Sequence, residues 1–149
     1  MKFATKIMML LLIVFLMACS KQLESGKLIH EEQTTTSGQW VGGSTVIVAY
    51  NDKEFEDLWN SFNIEENRPD VNFDKDAILF AHTMENSCPK QISKFQLSDD
   101  GKKLIIETSQ KGSYCNDIGI PKLFVFQMEK DMLDRVETIS FEGKSFAHR

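Results

Sequence analysis

The sequence predicts a single α+β domain: a mainly antiparallel sheet of about five to six strands with one amphipathic helix near its start. Three observations carry this. Short β-rich apolar runs recur between residues 46 and 141, one segment among them switches to a helical period, and the later runs are joined by links of hairpin length. The 149 residues suit one domain with a leader, and a composition of 42% hydrophobic and 26% charged residues is that of a foldable chain. With 17 Lys+Arg against 22 Asp+Glu, a net charge of −5 and no basic cluster, the chain offers no footprint for a phosphate backbone, so no nucleic-acid partner is expected.

The chain opens with Lys2 and Lys6, followed by an uncharged apolar run over residues 7–18. A helix of that length would span only about 18 Å, against roughly 30 Å of bilayer hydrocarbon, so it reads as a signal peptide rather than a permanent span. The run ends in Leu16-Met17-Ala18-Cys19, a branched residue at −3 and a small one at −1 before a cysteine. This resembles the lipobox of bacterial lipoproteins. The resemblance implies that residues 1–18 are removed, that Cys19 becomes an acylated first residue, and that the mature protein sits at the extracytoplasmic face of the cell membrane. The other reading is an ordinary secretory signal with Cys19 as a chance apolar residue. Two acyl chains hold firmly where one holds marginally. The leader carries two lysines and no acid, so its loss makes the net charge of −5 more negative by two. Anionic lipid then repels the domain, and membrane lipid is a partner only through Cys19.

Residues 19–39 are mostly polar, with Leu23, Leu28 and Ile29 as the sizeable apolar side chains, and are expected to form a flexible tether. Such a coil would hold the domain on the order of 25 Å from its anchor. The domain is expected over residues 40–149. Its first strand covers residues 46–50. A helix follows over residues 52–62, where Phe55, Leu58, Trp59 and Phe62 share one face and Asn51 with Glu54 supplies an N-terminal cap. The aromatic stripe is read as core packed on a sheet, with a ligand box as the other reading. Residues 77–81 and 123–126 are apolar on both alternations and predict strands buried on both faces. Residues 92–97 and 103–108 flank Asp100-Gly101, a hairpin signal, and a last strand covers residues 136–141.

Cys88 and Cys115 remain once Cys19 is set aside. An even pair in an exported chain predicts a disulfide, and both cysteines lie in loop-like stretches. A thiol or metal site built from His82, Glu85, Cys88 and Cys115 is one alternative, although the spacing matches no structural zinc pattern, and two unpaired buried cysteines are the other. Asp70, Asp74 and Asp76 precede a strand without the spacing of a calcium loop and are read as solvated acids. His30 falls in the tether and His148 one residue from the end, where side chains are usually mobile. His82 is read as a hydrogen-bonded structural histidine. No nucleophile has a base within arguable reach, and no phosphate-binding or hydrolase motif occurs, so neither enzyme activity, nor a metal, nor a cofactor is expected.

The segments Glu54-Phe55-Glu56-Asp57-Leu58-Trp59, Asp70-Val71-Asn72-Phe73-Asp74-Lys75-Asp76-Ala77-Ile78-Leu79 and Pro121-Lys122-Leu123-Phe124-Val125-Phe126 resemble the C-terminal domain of the protease-complex subunit PrcB. The likeness spans about residues 45–130. The family's Gly-rich turn is replaced here by Asn86-Ser87-Cys88-Pro89. The resemblance implies a noncatalytic partner-binding role, such as stabilising a surface protease or other envelope protein. The competing expectation is a small-ligand binder with an aromatic pocket between helix and sheet.

Overall fold

The computed structural model describes residues 26–34 and 43–148. Cys19, the leader and the rest of the expected tether lie outside the described residues. The elements run β1 Gly26–Gln33, β2 Thr45–Ala49, α1 Asp52–Ser61, β3 Asp76–Glu85, β4 Lys90–Leu97, β5 Lys103–Gln110, β6 Ile120–Glu129, α2 Lys130–Leu133, β7 Thr138–Phe141 and β8 Lys144–Ala147. The class is α+β, but the strands form two sheets where one was expected. The first has the order β1-β6-β3-β2 and is antiparallel throughout. The second has the order β4-β5-β7-β8, with β5 and β7 parallel.

The first sheet lies between the other two layers. Alternate residues of β3 and β6 send Ala77, Leu79, Ala81, Phe124, Phe126 and Met128 toward the second sheet, where they meet Leu104, Ile106, Ile139 and Phe141. The intervening Ile78, Phe80, Leu123 and Val125 pack on the other face against Phe55, Trp59 and Phe62. Burial on both faces is why these two strands read as continuous apolar runs.

Helix α1 begins as its sequence dictates. The Asn51 side chain accepts from the Glu54 amide at 2.9 Å, and Glu54 reaches back to accept from the Tyr50 amide at 2.7 Å. Its aromatic face is core: Phe62 stacks on Phe80 at 5.6 Å, and Phe55 meets Phe80 edge-on at 6.0 Å. The hairpin at Asp100-Gly101 also forms, with Gly101 at φ +71° and its amide donating to the Ser98 carbonyl.

Strand β1 corrects the expected tether: Gly26–Gln33 belongs to the folded unit, ahead of the expected start at residue 40. It pairs with β6 from Gly26 opposite Met128 to Gln33 opposite Lys122. An edge strand draws its stability from the ladder to one neighbour and needs few apolar side chains, so hydrophobicity alone does not reveal it. Strand β8 and the short helix α2 are the other unexpected elements. Strand β8 follows a two-residue turn, Glu142-Gly143, whose φ angles are +53° and +71°, the mirror-image turn that suits a twisted hairpin. A left-handed glutamate is unfavourable by itself. Here its carboxylate is tied to Lys90 Nζ and to the Thr108 hydroxyl, which fixes the turn against β4 and β5.

Phe80 is 1% exposed and touches the rings of Phe55 in α1 and of Phe62 at its C-terminal cap. Phe80→Ala is expected to destabilise the domain by about 3–5 kcal/mol, read as a lower urea midpoint with little change in m-value.

Candidate functional site

At one end of the two sheets, the loop of residues 86–89 between β3 and β4 faces the loop of residues 111–119 between β5 and β6. Cys88 and Cys115 join them through a disulfide, with Cα atoms 5.4 Å apart. Hydrogen bonds reinforce the clamp. The Ser87 amide donates to the Asn116 carbonyl at 3.2 Å, and the Asn116 amide donates to Ser87 Oγ at 2.7 Å. The Lys111 amide donates to the Pro89 carbonyl at 3.4 Å, and the Cys88 amide to Asn86 Oδ1 at 2.9 Å. Gly112 is required at its position: φ is +133°, and a Cβ there would lie 2.6 Å from Cys88 Sγ.

The strand ends beneath the clamp are held by polar groups. Buried Glu85 accepts from Gln33 Nε2 at 2.7 Å and from the Lys90 amide at 2.8 Å. Lys122 pairs with Glu31 at 3.2 Å and lies over the Phe124 ring at 5.2 Å. Each buried charge therefore has partners, as burial demands.

The clamp presents two large apolar side chains to solvent among polar ones, Lys111, Ser113, Asn116 and Asp117. Tyr114 is 98% exposed and Ile118 53%, and with Leu28 they are the exposed large hydrophobic side chains among the described residues. Neither was singled out from the sequence as a binding residue. The available signal was Tyr114 itself, an aromatic set among Gly112, Ser113, Asn116 and Asp117, with no periodic apolar companions to share a core face.

The other candidate residues fall elsewhere. His82 lies within β3 and is fully buried beside the Phe62 ring, at 6.0 Å. Among the described residues neither of its ring nitrogens makes a hydrogen bond of full geometry, the Gly43 backbone supplying only a weaker polar contact, so the expected hydrogen-bonded role is not met by a strong bond. His82 and Glu85, three positions apart on one strand, point to opposite faces, and both thiols are committed to the disulfide. The four residues therefore do not converge on one point. Asp76 accepts from Gln127 at 2.8 Å, while Asp70 and Asp74 are exposed. Among the described residues, no group of three or more His, Cys, Asp or Glu side chains is placed to hold a metal ion.

His30 is not the mobile tether residue expected. It is buried against Trp59, with ring centroids 5.3 Å apart, and its Nδ1 lies 3.1 Å from Glu66. Trp59 Nε1 in turn donates to the Glu66 carbonyl, so the histidine fastens β1 to α1 and the loop after it. His148 is also fixed, its ring stacked on Tyr50 and its amide donating to the Glu137 carbonyl.

By its layers the chain is an α+β protein in which a disulfide clamps two neighbouring loops. Comparison with protein-family models, with curated proteins and with solved structures finds no match.

Burial pushes the His82 imidazole below its ordinary pKa of about 6.5, and the nearby Gly43 backbone opposes part of that shift. The folded state thus favours neutral His82, and below about pH 6.5 the unfolded chain binds the extra proton. The stability that His82 contributes is complete above that pH and falls as the pH drops toward the folded-state pKa. Urea titrations at pH 7.5 and 5.5 are expected to show a smaller pH dependence for His82→Phe than for the parent. Equal slopes would rule the effect out.

Proposed function

We propose that the chain is a lipid-anchored, noncatalytic protein-interaction module at the extracytoplasmic face of a bacterial cell membrane, and that the loop of residues 111–119 is its docking surface. The observation that carries this reading is the pairing of a covalent clamp with a bare Tyr114. A ring exposed to 98% contributes no packing to its own fold, yet the loop beneath it is fixed by the Cys88–Cys115 bond and by Ser87 and Pro89. Tyrosine is the kind of side chain on which interfaces concentrate their energy, and a preorganised loop loses little entropy when it docks.

The lipobox-like Leu16-Met17-Ala18-Cys19 supports the anchor, and the likeness to the PrcB C-terminal domain supports a protein as the partner, such as a surface protease or another envelope protein. A small-ligand site between helix and sheet has less behind it, because the rings of Phe55, Phe62 and Phe80 pack against one another there.

Two outcomes are expected. Cys19→Ala abolishes acyl labelling and leaves the leader uncut, read by intact mass; a Cys19→Ala protein that is processed normally, is soluble and keeps its location would remove the anchor. Crosslinked pulldown from membranes recovers a stoichiometric protein partner, and Tyr114→Ser with Ile118→Ser loses it while Tm is unchanged within about 2 °C, as surface substitutions allow. Recovery of the same partner by that double variant would contradict the proposed surface.

A further inference from the structure

We propose that the loop of residues 111–119 is an inhibitory loop that seats Tyr114 in the apolar specificity pocket of a chymotrypsin-type serine endopeptidase. The inference rests on the docking surface proposed above and names its partner.

Four features point to this occupant. A protease cleft takes one protruding side chain into a pocket, and a deep apolar slot selects an aromatic one. Tyr114 protrudes fully. It is flanked by the small residues Gly112 and Ser113 on one side and by Cys115 and Asn116 on the other; the nearest charges in sequence, Lys111 and Asp117, are each three positions away. One fully exposed ring among small, uncharged neighbours fits a cleft better than it fits a flat partner. The loop is also rigid. Covalent and hydrogen-bonded restraints fall on both sides of Tyr114: the Lys111 amide donates to Pro89, while Cys115 and Asn116 are held to Cys88 and Ser87.

The fourth feature concerns what happens if the enzyme attacks. Its serine oxygen adds to the Tyr114 carbonyl carbon, the bond to the Cys115 nitrogen breaks, and the proton taken from the serine passes to that nitrogen as it leaves. In an ordinary substrate the new amine diffuses away and water completes hydrolysis. Here Cys115 stays bonded to Cys88, and the Asn116 amide stays bonded to Ser87 Oγ. The amine remains beside the acyl-enzyme and re-forms the peptide bond, returning the proton to the serine. Holding the two reactants together makes this step effectively unimolecular. The disulfide thus turns a cleavable sequence into a slowly turned-over one.

The test uses the full-length chain, purified with its disulfide intact, against chymotrypsin and trypsin with small chromogenic peptide substrates. The parent is expected to inhibit chymotrypsin competitively and to leave trypsin active. Tyr114→Ala is expected to weaken inhibition about 100-fold. Tyr114→Lys is expected to lose chymotrypsin and gain trypsin, a gain that misfolding cannot produce. The paired Cys88→Ala and Cys115→Ala variant is expected to be cut after residue 114, as seen by intact mass, without lasting inhibition. No inhibition by the parent, rapid stoichiometric cleavage after Tyr114, or inhibition insensitive to Tyr114→Ala would each overturn the proposal. If membrane pulldown still depends on Tyr114 while chymotrypsin stays active, the docking surface stands and the protease occupant falls. If pulldown is also indifferent to Tyr114, both fall.

Discussion

The antiparallel pairing of β3 with β6, from Asp76 opposite Glu129 to Glu85 opposite Ile120, is the constraint on which the remaining structure depends. Every residue along it belongs to one of two faces, and both faces are covered. Small residues sit across from large ones: Ala77 opposite Met128 and Ala81 opposite Phe124. The side facing the second sheet is therefore filled without forcing that sheet away, as close packing requires. On the other side Ile78, Phe80, Leu123 and Val125 make the bed on which the α1 rings lie. A shift of one residue would exchange these faces and place the helix bed against the second sheet, so the register fixes both outer layers together.

Much of this was legible in the sequence. The helix was announced twice, by the spacing of Phe55, Leu58, Trp59 and Phe62 and by the Asn51 cap, both local signals. The two-sided burial of β3 and β6 was legible from their unbroken apolar runs. What those runs do not encode is what covers each face, so a second sheet was not expected. Strand β1 escaped because its order comes from partners far along the chain: the β6 ladder, the Lys122–Glu31 pair, and His30 between Trp59 and Glu66. Strand β8 escaped because Glu142-Gly143 is an unusual turn pair, held by contacts to Lys90 and Thr108 that no local pattern displays. At the candidate site, the cysteine count pointed to the disulfide, but exposure is a tertiary property, and Tyr114 became conspicuous only once the core was assigned.

The polar groups at the clamped end of the sheets have a common role. Lys90 with Glu142 and Glu85 with Gln33 each join segments 52 positions apart within one sheet, and the Lys90 amide on Glu85 joins the two sheets. Ionic groups in such surroundings add little net stability, since desolvation opposes their attraction. Their contribution is positional. Each has few arrangements that leave no charge unpaired, so the strand ends that carry residues 86–89 and 111–119 are set in place. Mobility at those ends would reach Tyr114 directly, and the disulfide alone would not suppress it.

The pairing of β1 with β6 also bears on how the molecule is born. Gly26 meets Met128, near the opposite end of the chain, so a nascent polypeptide leaving the ribosome carries β1 as a strand without a mate until β6 has been made. Helix α1 and the β4–β5 hairpin are local and can assemble on the way. Closure of the first sheet waits for β6, whose Met128 lies 102 positions after Gly26. A chain that delays completion in this way stays threadable until β6 emerges, and only a product that includes β6 acquires the locked architecture.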